Sequence, residues 1–345
     1  MPTGAQPVVL GTYALASGGH AVAWRAGTEG AVHVQRFDAL GRPEGAPVAI
    51  AADLSLAAPA VAVLPDASIV LAVVAGGAAS VDEPWITRTA VSVQRYDTHG
   101  GLLGDAMQLG ALEQNRIGAE TMRYVTEPAI ARWDDGGFVV AWSQVEEDAT
   151  GRAPQFFGQR FDAAARPAGG TVPVGPGDRD TGLRLAATPS GGWLLTTFHR
   201  IFGRTFLRVH AFDGAAAPVL SEQAIGIAEG SLLLPLAGGR AALLSPAHVY
   251  GSLRMYGADG EPLGMAGALA AMPAAAFALH DGGFVTFSFH EGQLLAQRYD
   301  AAGRASGDPV PAAAGVAALH GTGLAGGGLA VAWPGAAEVL VQRLR

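Results

Sequence analysis

One four-part unit recurs seven times along this chain of 345 residues, and that recurrence restricts the fold more tightly than any single motif. The clearest copy runs from Glu127 to Val174, as EPAIARWDDGGFVVAWS, a variable stretch, then FFGQRFDAAARPAGGTVPV. GGHAVAW from Gly18 leads to VHVQRFDALGRPEGAPVAI, ASIVLAV from Ala67 to VSVQRYDTHGGLLGDAMQL, and GGFVTFS from Gly282 to LLAQRYDAAGRASGDPVPA. GGLAVAW from Gly327 leads to VLVQRLR, and weaker copies start at Gly191 and Gly238. Each copy reads as an apolar strand, a turn rich in Gly and Asp, a second apolar strand, a third strand ending in QRFD, and a weaker fourth strand. Gly and Asp in two-residue turns predict antiparallel hairpins of the primed type. The second strand is apolar without alternation, as expected of a sheet covered on both faces.

The turns recur at positions 18, 67, 136, 191, 238, 282 and 327. A four-stranded unit at a period of about 40 to 50 residues predicts a β-propeller. The expectation is an all-β, seven-bladed propeller with four antiparallel strands per blade, forming one domain over residues 1–345. The last copy stops at Arg345 after its third strand, while TGAQPVVL near the N-terminus resembles EGAPVAI, the outermost strand of the first copy. Residues near Pro7 to Leu10 are therefore expected to complete the seventh blade and close the ring, removing two exposed edges.

Half the residues are hydrophobic, 15% are charged and Gly numbers 49, which fits buried strands joined by tight turns. With no Cys, disulfides and thiolate chemistry are excluded. All 22 basic residues are Arg, and the net charge of −8 provides no basic stripe for phosphates. Nucleic acid and anionic membrane surfaces are therefore disfavoured as partners. MPTGAQPVVL lacks a basic segment followed by an apolar one, and no apolar run reaches the length of a membrane span, so a soluble chain without a visible signal peptide is expected.

The Asp-Gly-Gly turn, the apolar strand ending in Trp and the QRFDAxG element together resemble repeats of bacterial secreted and cell-surface proteins, including RTX-type proteins. The resemblance covers nearly the whole chain and implies a propeller used for binding or adhesion, at or outside the cell surface. The glycine-rich nonapeptide calcium repeats of RTX proteins are absent, so calcium binding is not carried over.

Most repeated motifs read as structural. On a strand Arg36 and Asp38 share one face and Gln35 and Phe37 the other, so Phe is expected between blades while Arg pairs with the carboxylate. Asp134 to Gly137 reads as turn chemistry, because the alternating carboxylates of a calcium loop are missing. Trp24, Trp142 and Trp333 close the second strand in three copies, where the others carry Val73, Thr197, Leu244 and Ser288, and packing between blades is expected of them. His199, His248 and His290 are expected in loops between second and third strands on one face. Their spacing gives no metal site, and His in this chain is read as a surface hydrogen-bonding group. No nucleophile elbow, HExxH or P-loop occurs, and no cofactor or metal is implied.

Function is sought where the repeat breaks, because insertions in repeat proteins map to loops on a common face. Residues 75–90 carry Asp82, Glu83, Trp85 and Arg88; residues 111–126 carry Asn115, Arg116, Arg123 and Tyr124; residues 143–155 carry Glu146, Glu147 and Arg152. Alternation of strand direction places all three insertions on one rim, over blades two and three. Trp, Tyr and several Arg give them the composition of an interaction surface. The leading expectation is a noncatalytic protein that recognises a protein or glycan through these loops, lectin-like in the second case. The alternatives are a glycoside hydrolase or lyase using the loop carboxylates with His199 or His290, and a structural module of a surface assembly.

Overall fold

The computed structural model describes residues 7–344 except 27–30, 51–58, 79–85, 116–121, 149–150, 177–182, 189–190, 202–203, 225–230, 237–239, 248–249, 258–260, 270, 272, 292, 313–318 and 336–337. Its strands, β1 to β27 in chain order, form seven antiparallel sheets. Six sheets have four strands in sequential order, and the last has three among the described residues. The first strands of successive sheets are β1 (Pro7–Ala14), β5 (Ala60–Val63), β9 (Met122–Arg132), β13 (Arg184–Ala187), β17 (Leu232–Pro235), β21 (Ala275–Ala278) and β25 (His320–Gly323). Each of these touches the next, and β25 touches β1, so they line the axis of a closed ring of blades. The seven-bladed propeller expected from the period is the fold observed.

The second strands carry the core. In β2 (His20–Ala26) Ala21, Val22 and Ala23 are all buried, and in β10 (Phe138–Asp148) so are Phe138, Val139, Val140, Ala141 and Trp142. Successive residues point to opposite faces, so an uninterrupted apolar run fills two seams at once. Val70 and Ala72 of blade two meet Phe138, Val140 and Trp142 of blade three in one such seam.

Two expectations are corrected. The segment from Pro7 to Leu10 does not complete blade seven: Pro7 lies opposite Ala26 and Val9 opposite Trp24, so it begins the innermost strand of blade one. Blades seven and one meet instead through side chains, with Val9, Val22 and Ala332 buried together and Trp24, Phe37, Val339 and Val341 packed against them. The Arg343 guanidinium also donates to the Ala39 carbonyl across this seam. The hairpin turns, in turn, are three-residue loops and not two-residue primed turns. Gly18 N–H donates to the Leu15 carbonyl (3.0 Å) and Leu15 N–H to the Gly19 carbonyl (3.0 Å), with the positive φ at Gly18 alone (82°). This is the loop with one left-handed residue that forms a bulge, which suits Gly at its third position.

Candidate functional site

The described parts of the three insertions are prolonged strands and not loops. β6 (Ile69–Ala78) pairs with β7 (Ile86–Tyr96) out to Ala78 opposite Thr87, and β7 pairs with β8 (Met107–Asn115) out to Ile86 opposite Asn115. In blade three β9 pairs with β10 as far as Met122 opposite Glu147, and β10 with β11 (Gly151–Phe161) as far as Asp148 opposite Gly151. Both blades therefore run past the ring as twin β-arms. They reach the rim shared by the turns between second and third strands and by the links between blades.

Register decides what the polar side chains of the arms do. Arg88 lies directly opposite Glu113 and is ion-paired with it, and Arg123 opposite Glu146 does the same at 2.8 Å. Both pairs are more than half exposed. The Tyr124 hydroxyl donates to Glu147 Oε2 at 3.2 Å. The arms also bond to each other: Arg123 N–H donates to Gln114 Oε1 (2.6 Å), Val125 N–H to Thr89 Oγ1 (3.2 Å) and Gln144 Nε2 to the Gly110 carbonyl (3.1 Å). Of the other expected site residues, Asn115 and Arg152 are backbone positions in β8 and β11, opposite Ile86 and Glu147. Asp82, Glu83, Trp85 and Arg116 lie outside the described residues. The structure thus brings Arg88 to Glu113, Arg123 to Glu146, and Tyr124 to Glu147, the last two pairs on opposite faces of blade three.

The QRFD element is structural, with roles different from those expected. Its Asp does not pair with its Arg. Asp162 Oδ1 accepts from the N–H groups of Ala164 (2.9 Å) and Arg166 (2.8 Å), and Asp38, Asp97, Asp213 and Asp300 repeat the arrangement. These backbone donors hold the Asp38, Asp97 and Asp300 carboxyls below the ordinary value of 3.8. The Arg instead reaches the first hairpin turn of its own blade: Arg95 pairs with Asp66 (2.9 Å), Arg298 with Asp281, and Arg160 lies 4.9 Å from the Trp133 ring centre. The Gln clamps the turn that leads into the fourth strand, with Gln159 Nε2 donating to the Arg160 (2.9 Å) and Gly169 (3.0 Å) carbonyls.

Asp135 Oδ1 accepts from Gly137 N–H at 2.9 Å, as turn chemistry requires, and among the described residues no group of His, Asp and Glu could hold a metal. Trp142 packs between blades as expected, stacked on Phe157. In blade five the register places Ser245, not Leu244, at that position, because Ala241 lies opposite Tyr256 as His20 lies opposite Phe37. The His expectations need correction. His199 and His290 sit on strands β14 (Trp193–Ile201) and β22 (Phe284–His290) instead of loops, and His248 lies outside the described residues. His20 and His210 are buried.

Two features were missed. Near the axis the Tyr13 hydroxyl donates to the Val61 carbonyl and an Arg132 Nη to the Ala14 carbonyl, both at 2.6 Å, so Arg132 ties blade three to blade one at the ends of their innermost strands. Burial lowers the Arg132 pKa and raises that of Tyr13. Between blades five and six lies a groove lined by Leu253, Leu269, Ser288, His290, Leu295 and Gln297. Its signal was the Ser288 that stands where other copies carry Trp.

No family model matches the chain, and no curated protein matches it. Among solved structures it is similar to the β-propeller domain of the Trilobed protease from Pyrococcus furiosus, described as having an open velcro topology. The two share 12% identity with a TM-score of 0.51, over 99% of this chain and 96% of that one. That likeness is one of fold. Among the described residues no sheet is shared between blades one and seven.

Proposed function

We propose that this propeller is a noncatalytic recognition module, and that the twin arms of blades two and three dock a protein or glycan partner. The observation that carries this reading is the pair of arms itself, prolonged past the ring and bearing Arg88, Glu113, Arg123 and Glu146 on exposed surface. In-register pairing and arm-to-arm hydrogen bonds order these side chains before a partner arrives, which lowers the entropic cost of binding. Arg and Tyr at such a surface are the residue types that dominate interface energetics.

Glu146 and Glu147 are consecutive on β10, so their side chains leave opposite faces of the sheet, and each already has a partner from β9. That arrangement favours recognition over the paired-carboxylate chemistry of a glycosidase, which needs both groups flanking one bond. The resemblance of the repeat to those of secreted and cell-surface proteins supports the same reading.

A glycan array and a displayed-peptide library, screened in parallel against wild type and the Arg88→Ala, Arg123→Ala double variant, test it. Ligands captured by wild type and lost in the variant support docking at the arms. Ligands indifferent to both substitutions, or none on either screen, would sink it.

A further inference from the structure

The seams between blades reuse one set of positions and can be compared place by place. Between blades two and three, Trp142 stacks on its register partner Phe157, beside Val91, Leu109 and Val140, with Met107 and Phe157 packed against the buried cluster. Between blades five and six the same positions hold Ser288 for Trp142, Leu295 for Phe157 and Thr286 for Val140. On the facing wall β19 (Tyr250–Tyr256) and β20 (Pro262–Leu269) hold Gly251 for Val91 and Gly267 for Met107. A Cβ placed on Gly267 would meet nothing within 4 Å, whereas at Gly251 the space of a side chain is already taken by Leu269, so on this wall the opening comes from Gly267.

Native packing leaves few voids, yet these truncations on both walls leave a groove of roughly 430 Å³, the size of small-molecule sites. One polar atom of its lining is spared from the fold. Gln297 Nε2 clamps the Arg298 and Gly307 carbonyls (2.9 and 3.0 Å) as its counterparts do, but its amide oxygen has no partner among the described residues. In blade three the corresponding oxygen accepts from Thr171 at 3.1 Å, and the residue at that offset here is Pro309, which has no hydroxyl. Among the described residues no Asp or Glu lines the groove, whereas Arg304 does.

We propose that this seam binds a small planar aromatic acid of the indole-carboxylate class. The ring occupies the slot that a stacked indole and phenyl fill in blade three, between Leu253 and Leu269 on one side and Leu295 on the other. The ring N–H donates to Gln297 Oε1, the Ser288 hydroxyl satisfies a second polar atom, and the carboxylate meets the cationic rim at Arg304. The site is independent of the arms, so either assignment can fail alone.

The test is calorimetric titration of the full chain with indole-3-acetate, with cyclohexylacetate as the non-planar control. The expected result is saturable binding that prefers the planar acid and weakens at least tenfold, about 1.4 kcal/mol, in Ser288→Trp, which supplies the missing indole from within. Should Ser288→Trp not fold, Leu295→Phe narrows the same slot and must show the same loss. No saturable binding by wild type, equal affinity for the two acids, or unchanged affinity in the folded variant would overturn the proposal.

Discussion

At the residue scale, His20 holds the place that Phe138 and Phe284 take in blades three and six, and it stacks on Phe37 as they stack on Phe161 and Tyr299. Burial, reinforced by the Arg343 guanidinium, lowers its pKa from 6.5 to about 4. The unfolded chain therefore binds this proton before the folded one does. Stability tied to His20 is complete above pH 6.5 and drains away as pH falls toward 4. His20→Phe is expected to stabilise the protein increasingly over that window, measured by urea unfolding at pH 7 and pH 5; an equal offset at both values would show that His20 is not held neutral. Ala216 has φ of 63°, in a region where an L side chain is strained. Ala216→Gly should raise stability by about 0.5–1 kcal/mol in the same assay, since relief of that strain exceeds the added chain entropy of Gly.

At the scale of the element, the clamp and the arms make opposite predictions. Gln159 is buried, and its amide satisfies two carbonyls. Gln159→Ala should cost about 1–3 kcal/mol, because it takes the donor from the Gly169 carbonyl and the acceptor from the Thr171 hydroxyl, while the Arg160 carbonyl keeps the Ala168 N–H. Arg88→Ala and Arg123→Ala each remove one half of an exposed pair. Neither should cost more than about 1 kcal/mol by thermal unfolding, so loss of a ligand in the double variant reports recognition and not collapse. The arms were legible in sequence as departures from the repeat but not as strands. Segments such as Val145-Glu146-Glu147-Asp148 lack the apolar alternation that marks a half-buried strand, and only pairing with β9 and β11 makes them one. The QRFD element was legible as structural, but its partners were not, because Asp66 and Asp281 come from a turn distant in sequence.

For the whole molecule, the blade count was legible because period and strand pattern agree, whereas closure was not. A short apolar strand such as PVVL can serve as the innermost or the outermost member of a sheet, and side-chain pattern alone does not name its partner. With the seam held by packing and Arg343, and with no described strand beside the outer edge of β27 (Val339–Leu344), blade seven is expected to be the first to loosen. Amide exchange followed by mass spectrometry should show Val339–Leu344 less protected than the stretch from Phe156 to Gly158, which is paired on both sides. Equal protection would mean that another segment covers that edge.

The same seam has a constructional consequence. Every described sheet is drawn from one unbroken stretch of chain. A blade here is thus a self-contained cassette, and excising, duplicating or exchanging one between copies leaves every other described ladder whole. Where a ring is fastened by a strand from the far end of the chain, the same edit to the fastened blade has to respect two distant cut points.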